Sequence, residues 1–133
     1  MKAKSGKYAL ALGLVFMITL FLVSCVPVST PIGYFEGTWT QELPSSETSQ
    51  AGLYLSQTSY GFRGDLRDLS NKNAQPIEVR CGAIVNNELN CNFSNSSASM
   101  TMNGNYLTNR FTGRWFARDV EGLRQGRFDL LRK

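Results

Sequence analysis

The sequence predicts an all-β fold, in which a single antiparallel meander of about eight strands closes into a small barrel or a flattened sandwich after an N-terminal signal segment. From residue 34 onward, apolar and polar residues alternate in short runs that Gly, Asn and Ser interrupt, which is typical of strands joined by tight turns. The segment FEGTW, residues 35–39, is repeated as FTGRW, residues 111–115. A glycine between two aromatic residues on one face lets a strand bend sharply, which favours a closed barrel.

The strands follow in chain order from this alternation. The first is predicted over residues 34–41, and the polar stretch 43–50 that follows it is predicted to be a loop. Asn103-Gly104-Asn105 predicts a turn because Asn and Gly adopt left-handed backbone conformations readily. After that turn we expect one long strand over residues 106–118, with a bend near Asn109. The other predicted strands include residues 52–57, a strand in which Phe62, Gly64 and Leu66 face inward, and residues 123–132.

The first 24 residues have the pattern of an export signal. Lys2, Lys4 and Lys7 precede an apolar run from Tyr8 to Val23, and a basic head before a compact apolar segment is typical of a signal peptide. The run is shorter than the roughly 20 apolar residues that a helix needs to cross a bilayer. A retained transmembrane helix is therefore the less favoured alternative.

Leu22-Val23-Ser24-Cys25 resembles a bacterial lipobox, in which small and branched residues precede a cysteine. The resemblance implies that a diacylglyceryl group is attached to Cys25, that the chain is cleaved just before it, and that the new amino terminus is acylated, as in palmitate-bearing lipoproteins. The alternative is an ordinary signal peptide with an incidental cysteine. The expected organisation is a signal peptide over residues 1–24, a lipidated tether over 25–33 and a barrel domain over 34–133.

The same resemblance predicts a location in the bacterial cell envelope. Each buried methylene of an acyl chain contributes about 0.8 kcal/mol, so two or more chains hold a protein stably on a membrane. Val26 follows the cysteine, whereas an aspartate there would indicate retention in the inner membrane. We therefore expect the outer membrane, facing the periplasm, if the host is Gram-negative.

If Cys25 carries the lipid, Cys81 and Cys91 remain as a pair, and export places them where disulfides persist. For the two to face each other, Val79 and Ala83 must lie opposite Phe93 and Leu89, which gathers apolar residues on one face. This register predicts a three-residue hairpin loop over residues 85–87. Closing so short a loop contributes roughly 2–3 kcal/mol in the chain-entropy model.

The charge pattern argues against a nucleic-acid partner and indicates a patch of arginines near the C-terminus. The formal net charge is +4, and the three lysines of the signal account for most of it. The C-terminal part of the chain carries four arginines that are predicted to point outward together. They predict a patch for an anionic lipid, lipopolysaccharide phosphates or an acidic envelope protein, since guanidinium groups bind such anions in a bidentate manner. The alternative is an ordinary solvated surface. The four residues are Arg110, Arg114, Arg118 and Arg127.

Gly37-Thr38-Trp39 resembles the Gly-x-Trp that begins the first barrel strand of the calycins, which include lipocalins, fatty-acid-binding proteins and avidins. The resemblance implies an eight-stranded barrel in which a late arginine, Arg124 or Arg132, packs across Trp39 by a cation–π contact. Such a barrel is either filled by its own side chains or holds one small ligand. The candidates for core or ligand lining are Trp39, Phe62, Phe93, Phe111, Trp115 and Phe128.

The chain contains no histidine, which removes the usual general base and metal ligand at neutral pH. We therefore expect no enzyme activity, no metal and no cofactor. The sequence favours a membrane-anchored envelope lipoprotein whose barrel is a non-catalytic interaction module for an unidentified partner. The alternatives are a lipocalin-like carrier of a small apolar ligand and a periplasmic inhibitor of a hydrolase.

Overall fold

A computed structural model describes residues 30–133. The predictions for the signal segment and for lipid attachment at Cys25 concern residues outside this range. The described chain forms one antiparallel meander of eight strands, and β8 returns to pair with β1, so that the sheet closes into a barrel. This confirms the predicted all-β fold. The strands are β1 (Gly33–Leu43), β2 (Glu47–Thr58), β3 (Gly61–Asp68), β4 (Ile77–Cys81), β5 (Glu88–Ser94), β6 (Ser99–Leu107), β7 (Arg110–Asp119) and β8 (Gly122–Arg132).

The core follows from alternation along each strand. In β3, Phe62 and Leu66 are buried, whereas Arg63 between them is exposed. The same period of two repeats around the barrel, because successive side chains of a strand point to opposite faces of the sheet. The buried apolar residues form one cluster: Phe35, Ala51, Leu53, Leu55, Phe62, Leu66, Val79, Cys81, Leu89, Cys91, Met100, Met102, Tyr106, Phe111, Trp115, Phe128 and Leu130.

Two inward-facing glycines permit the close contact between strands on which this packing depends. A Cβ atom on Gly126 would lie 1.8 Å from the carbonyl oxygen of Thr40 on β1, and one on Gly113 would lie 2.1 Å from that of Asn103 on β6. Both carbonyl oxygens belong to the backbone of a paired strand, so neither can move aside as a flexible side chain could. The glycine of the repeated Phe-x-Gly-x-Trp segment therefore serves close strand approach.

The disulfide prediction is confirmed, but the predicted hairpin turn is wrong. Cys81 and Cys91 are opposite each other and bonded, with an S–S distance of 1.99 Å. The chain turns over two residues, because Val85 and Glu88 exchange both backbone hydrogen bonds, at 3.1 and 2.9 Å. The two residues between them are Asn86 (φ 51°) and Asn87 (φ 63°), which is the type I′ geometry favoured in tight hairpins.

An irregular segment reconciles this turn with the disulfide. The chain between Cys81 and Val85 has one more residue than the chain between Glu88 and Cys91, so the β4 side of the hairpin carries an extra residue. Ala83 is consequently exposed instead of facing the core, and Ile84 packs against the core in its place. One inserted residue exchanges the faces of a strand.

Two other predicted boundaries are also wrong. Asn103-Gly104-Asn105 lies inside β6 and is not a turn, and the predicted long strand is divided by a tight turn at Thr108 (φ 46°) and Asn109 (φ 66°). The supposed loop 43–50 contains the start of β2, because Glu47–Gln50 pair with β1. In both places the polar residues face solvent on a regular strand, so polarity alone did not mark a loop.

The two ends of the barrel differ. We call the end at which residue 30 joins the barrel the entry end. There Pro31 is fully buried, and the carbonyl oxygen of Thr30 accepts hydrogen bonds from the Tyr106 hydroxyl and the Arg132 guanidinium. Arg132 also donates to the Tyr106 hydroxyl at 2.9 Å and lies 5.4 Å above the ring of Phe35.

This geometry corrects the expected contact between a late arginine and Trp39. Arg132 is the register partner of Phe35 on β1, so its guanidinium packs on the phenyl ring. Trp39 lies further along β1, towards the opposite end, which we call the tryptophan end. Arg124 forms ion pairs with Asp119 and Glu121.

Candidate functional site: an outer groove and an aromatic mouth

The six aromatic candidates belong to the barrel's own core. Four of them are between 0% and 7% exposed, namely Phe62, Phe111, Trp115 and Phe128. Trp39 and Phe93 are half-buried and pack against the core cluster. The ring centroids of Phe111 and Phe128 are 4.7 Å apart, and those of Trp39 and Trp115 are 5.0 Å apart. The interior is thus occupied by side chains in mutual contact.

The arginines predicted to form a patch lie on the outer face of β7 and β8. Arg114 and Arg127 are register partners, and both bind Glu42, at 3.1 and 2.6 Å. Arg110 forms a bidentate pair with Asp129, at 2.8 and 2.6 Å. Three of the four predicted arginines are therefore paired with carboxylates of β1 and β8.

Arg118 differs from the other three arginines. It faces Leu123 across the β7–β8 ladder, and within residues 30–133 it forms no ion pair. It therefore does not belong to the group of arginines that are paired with Glu42 and Asp129.

Glu42 owes its position to an irregularity in β1. Gln41 pairs with Gly126 and Leu43 with Gln125, so the register shifts at Glu42 and leaves it between two regular pairs. A bulge of this kind re-aims a side chain. It lets one carboxylate serve two arginines, Arg114 and Arg127. The sequence did not single out Glu42, because no local signal reveals a bulge that depends on pairing with β8.

An open groove of about 630 Å³ runs along the outer face beside these arginines. Hydroxyl groups of Thr38, Thr40 and Thr112 line it together with Arg110, Arg114 and Arg127. A second depression of about 350 Å³ continues past Arg114 towards asparagines of β5 and β6. The groove offers guanidinium groups next to hydroxyl groups, which is a suitable combination for a phosphate or carboxylate.

The ion pairs set the electrostatics of the groove. Hydrogen bonds from Arg110 lower the pKa of the Asp129 carboxyl, although partial desolvation opposes this shift. The same hydrogen bonds raise the pKa of Arg110. Three arginines face two carboxylates here, Glu42 and Asp129, so the groove keeps an excess of one positive charge.

At the tryptophan end, a smaller open pocket of about 380 Å³ lies above the Trp39–Trp115 stack. The indole Nε1 of Trp115 donates to the carbonyl oxygen of Thr40 at 3.2 Å, which fixes that ring. Sequence reasoning treated both tryptophans as core or ligand lining and did not single out this end. We call this pocket the aromatic mouth. Its remaining lining residues are Gln41, Glu47, Thr48, Ser49, Asp68, Ser70 and Asn71.

Comparison with protein-family models, with curated proteins and with solved structures finds no match for this chain. The eight-stranded antiparallel barrel is compatible with lipocalin-like architecture. In residues 30–133 no helix is long and apolar enough to cross a membrane. The same residues contain no group of three His, Cys, Asp or Glu side chains placed to hold a metal ion.

Proposed function

We propose that the protein is a lipid-anchored, non-catalytic recognition module of a bacterial cell envelope, and that its outer groove binds an anionic partner. The observation that carries this proposal is the contrast between a filled interior and a groove lined by Arg110, Arg114 and Arg127 on the outside. A barrel whose interior is filled by its own side chains offers its surface for binding. The groove is the surface at which positive charge and hydroxyl groups are combined.

The anchor rests on the lipobox resemblance around Cys25. Cys25 precedes Thr30 by five residues, and an extended chain spans at most about 3.6 Å per residue. A lipid on Cys25 would therefore hold the entry end within roughly 18 Å of the bilayer surface. The tryptophan end would then point away from the membrane, and in a Gram-negative host we place the protein on the outer membrane, facing the periplasm.

The groove is suited to a phosphate or carboxylate because Glu42 neutralises only one of the two arginines it contacts. Arg114 and Arg127 both direct guanidinium N–H groups towards it. An incoming anion can take its place between them and accept hydrogen bonds from Thr38 or Thr40 nearby. The envelope supplies such groups as lipid phosphates or as acidic protein side chains.

The carrier alternative would require space inside the barrel for an apolar ligand. Four pockets that described residues line open instead on the outer face or at the ends. The filled interior therefore supports the recognition module. No particular arrangement of residues favours a hydrolase inhibitor.

The anchor is tested with Cys25→Ser in the native host. We expect an unprocessed precursor that incorporates no labelled palmitate, whereas the unaltered chain is cleaved and labelled. A Cys25→Ser chain that is still cleaved and released normally would show an ordinary signal peptide instead.

The groove is tested with two substitutions that act in opposite directions. Arg114→Gln should weaken anion binding, while Glu42→Gln should strengthen it by removing the competing carboxylate. Arg63→Gln, which breaks an ion pair with Glu78 on another part of the barrel, is the matched control. Calorimetric titration of the detergent-solubilised full chain with inorganic pyrophosphate and with a glutamate-rich peptide distinguishes phosphate from carboxylate partners. Equal affinities for all three variants would remove the groove from the proposal.

A further inference from the structure

The tryptophan end carries a second candidate site, which depends neither on the lipid anchor nor on the arginine groove. We propose that the aromatic mouth binds a sugar ring, namely a neutral or amino-bearing pyranose unit of a glycan. Its volume of about 380 Å³ lies within the range of small-molecule sites, about 300–1,000 Å³. The inference rests on three features of the mouth: a fixed aromatic platform, a ring of hydrogen-bonding groups and the sign of its charge.

The platform is the indole ring of Trp39. This ring is stacked on Trp115 with 5.0 Å between centroids and 20° between planes, and it is nearly parallel to Phe128 at 5.9 Å. Trp39 remains half-buried and lines the mouth, whereas Trp115 is only 4% exposed. A rigid aromatic ring orders a ligand at little entropic cost. One side of a pyranose presents C–H groups, which pack against such a ring, while its hydroxyl groups point outward.

The rim supplies groups that can bind those hydroxyls. Gln41 donates to the carbonyl oxygen of Ser45 at 3.1 Å, and the Ser70 hydroxyl accepts from the Gln50 amide at 2.9 Å. The Asn71 side-chain oxygen accepts from the Asn73 amide at 3.1 Å. These contacts hold the side chains in position and leave further donors and acceptors on them. Within residues 30–133, the Asn71 amide nitrogen has no hydrogen-bond partner.

The charge of the mouth restricts the class of sugar. Glu47 and Asp68 line it, and neither lysine nor arginine is among its lining residues. One oxygen of Asp68 accepts from the Ser70 amide at 2.9 Å, and the other is available to a ligand hydroxyl or amine. Repulsion from the two carboxylates disfavours uronic and sialic acids. A neutral or amino sugar meets no such cost.

Both tryptophans of the chain line this mouth, so intrinsic fluorescence reports its occupation directly. The purified full chain in detergent is titrated with chitotriose, maltotriose, glucuronate and tetramethylammonium. We expect a saturable change in tryptophan emission with at least one of the two neutral oligosaccharides at millimolar concentration or below, and none with glucuronate. Tetramethylammonium tests the competing idea that an aromatic ring beside carboxylates binds an organic cation.

Variants locate the binding. Asn71→Ala removes one rim hydrogen bond and should weaken binding about three- to tenfold, while Trp39→Phe, which keeps an aromatic ring and leaves Trp115 as the reporter, should weaken it more. Tyr60→Ala, at a 92% exposed residue of the entry end, is the control and should leave binding unchanged. Denaturation curves show which variants retain the native fold.

Three outcomes overturn the proposal: no saturable response to either oligosaccharide, a response that persists unchanged in folded Asn71→Ala and Trp39→Phe, or binding of tetramethylammonium in preference to both sugars. None of these results affects the anchor or the groove, since those are tested at Cys25, Glu42 and Arg114.

Discussion

The two ends of the barrel are built from the same eight strands but differ in how their polar groups are satisfied. At the entry end, Arg132 and Tyr106 bind the carbonyl oxygen of Thr30, and Pro31, the next residue of the entering chain, is fully buried. At the tryptophan end, Trp39 is left half-buried above an open pocket, with hydrogen-bonding side chains around it. At the entry end the chain itself binds these polar groups, although an open depression of about 350 Å³ lies there beside Tyr60 and Ile84. At the tryptophan end the hydrogen-bonding side chains around the half-buried Trp39 are open to a ligand.

The difference arises from the closure of the barrel. The last residue of β8, Arg132, lies opposite Phe35 near the start of β1, so its long side chain reaches across the entry end. At the tryptophan end, β1 bulges at Glu42, whose side chain lies on the outer face between Arg114 and Arg127. The bulge supplies the outer groove with its shared carboxylate. Recognition surfaces thus occur where the barrel's own side chains do not complete the packing.

The largest effect is expected for Gly126→Ala, near the tryptophan end. The new methyl group would lie 1.8 Å from the Thr40 carbonyl oxygen, so β8 would have to separate from β1. We expect a loss of about 3 kcal/mol in the free energy of unfolding, the upper end of the range for overpacked sites, measured by chemical denaturation. Gly82→Ala is the control, because a Cβ there meets no atom within 4 Å. Similar losses in the two variants would contradict the role assigned to close strand contact.

Removal of the disulfide should have the next largest effect and should act on the entry end. Only two residue pairs join β4 to β5, and one of them is Cys81–Cys91. Replacing both cysteines by alanine should cost about 2–3 kcal/mol, as expected for a short closed loop. Hydrogen exchange should increase first in β4 and β5. Increased exchange that is spread evenly over all strands would show that the β4–β5 pairing is not the weakest part of the barrel.

Arg132→Met and Arg118→Met compare equivalent changes at the two ends. Arg132→Met removes hydrogen bonds to Thr30 and Tyr106 and the contact with Phe35, and it should cost about 1–2 kcal/mol. Arg118 has no ion pair within the described residues, and its replacement should change stability by less than about 0.5 kcal/mol. Equal effects would mean that the contacts of Arg132 with Thr30, Tyr106 and Phe35 do not stabilise the entry end.

The smallest effect concerns the Arg110–Asp129 pair, which lies on the outer face and should influence neither end selectively. Hydrogen bonding to Arg110 lowers the pKa of Asp129 in the folded state. Its contribution to stability is therefore present above the unfolded-state pKa of about 3.9 and is lost as the pH falls through the lower folded-state value. Both side chains are substantially exposed, at 56% and 42%, so solvent and salt weaken the pair.

The comparison variant for this pair is Arg110→Gln. Its stability should fall less steeply with decreasing pH below about 4 than that of the unaltered protein, and added salt should reduce the difference. Parallel pH profiles for the two proteins would show that the pair does not contribute to folding.

The sequence by itself determined the strand alternation, the inward-facing apolar residues and the pairing of Cys81 with Cys91. These features are local or follow from a simple register, because side chains of a strand alternate with a period of two. The positions of the turns were harder to predict from the sequence. An Asn-Gly-Asn segment in β6 and an Asn-Asn pair after β4 have similar composition, and only pairing with neighbouring strands separates them.

Tertiary structure alone decided the sites. Arg114 and Glu42 are 72 residues apart in the chain, and Arg132 and Thr30 are 102 apart. Each pair meets only when β8 closes against β1. Alternation predicts which face of a strand a residue occupies but not which distant residue stands opposite it. The open aromatic mouth, the shared carboxylate and the Arg132–Thr30 contact at the entry end therefore follow from closure of the barrel.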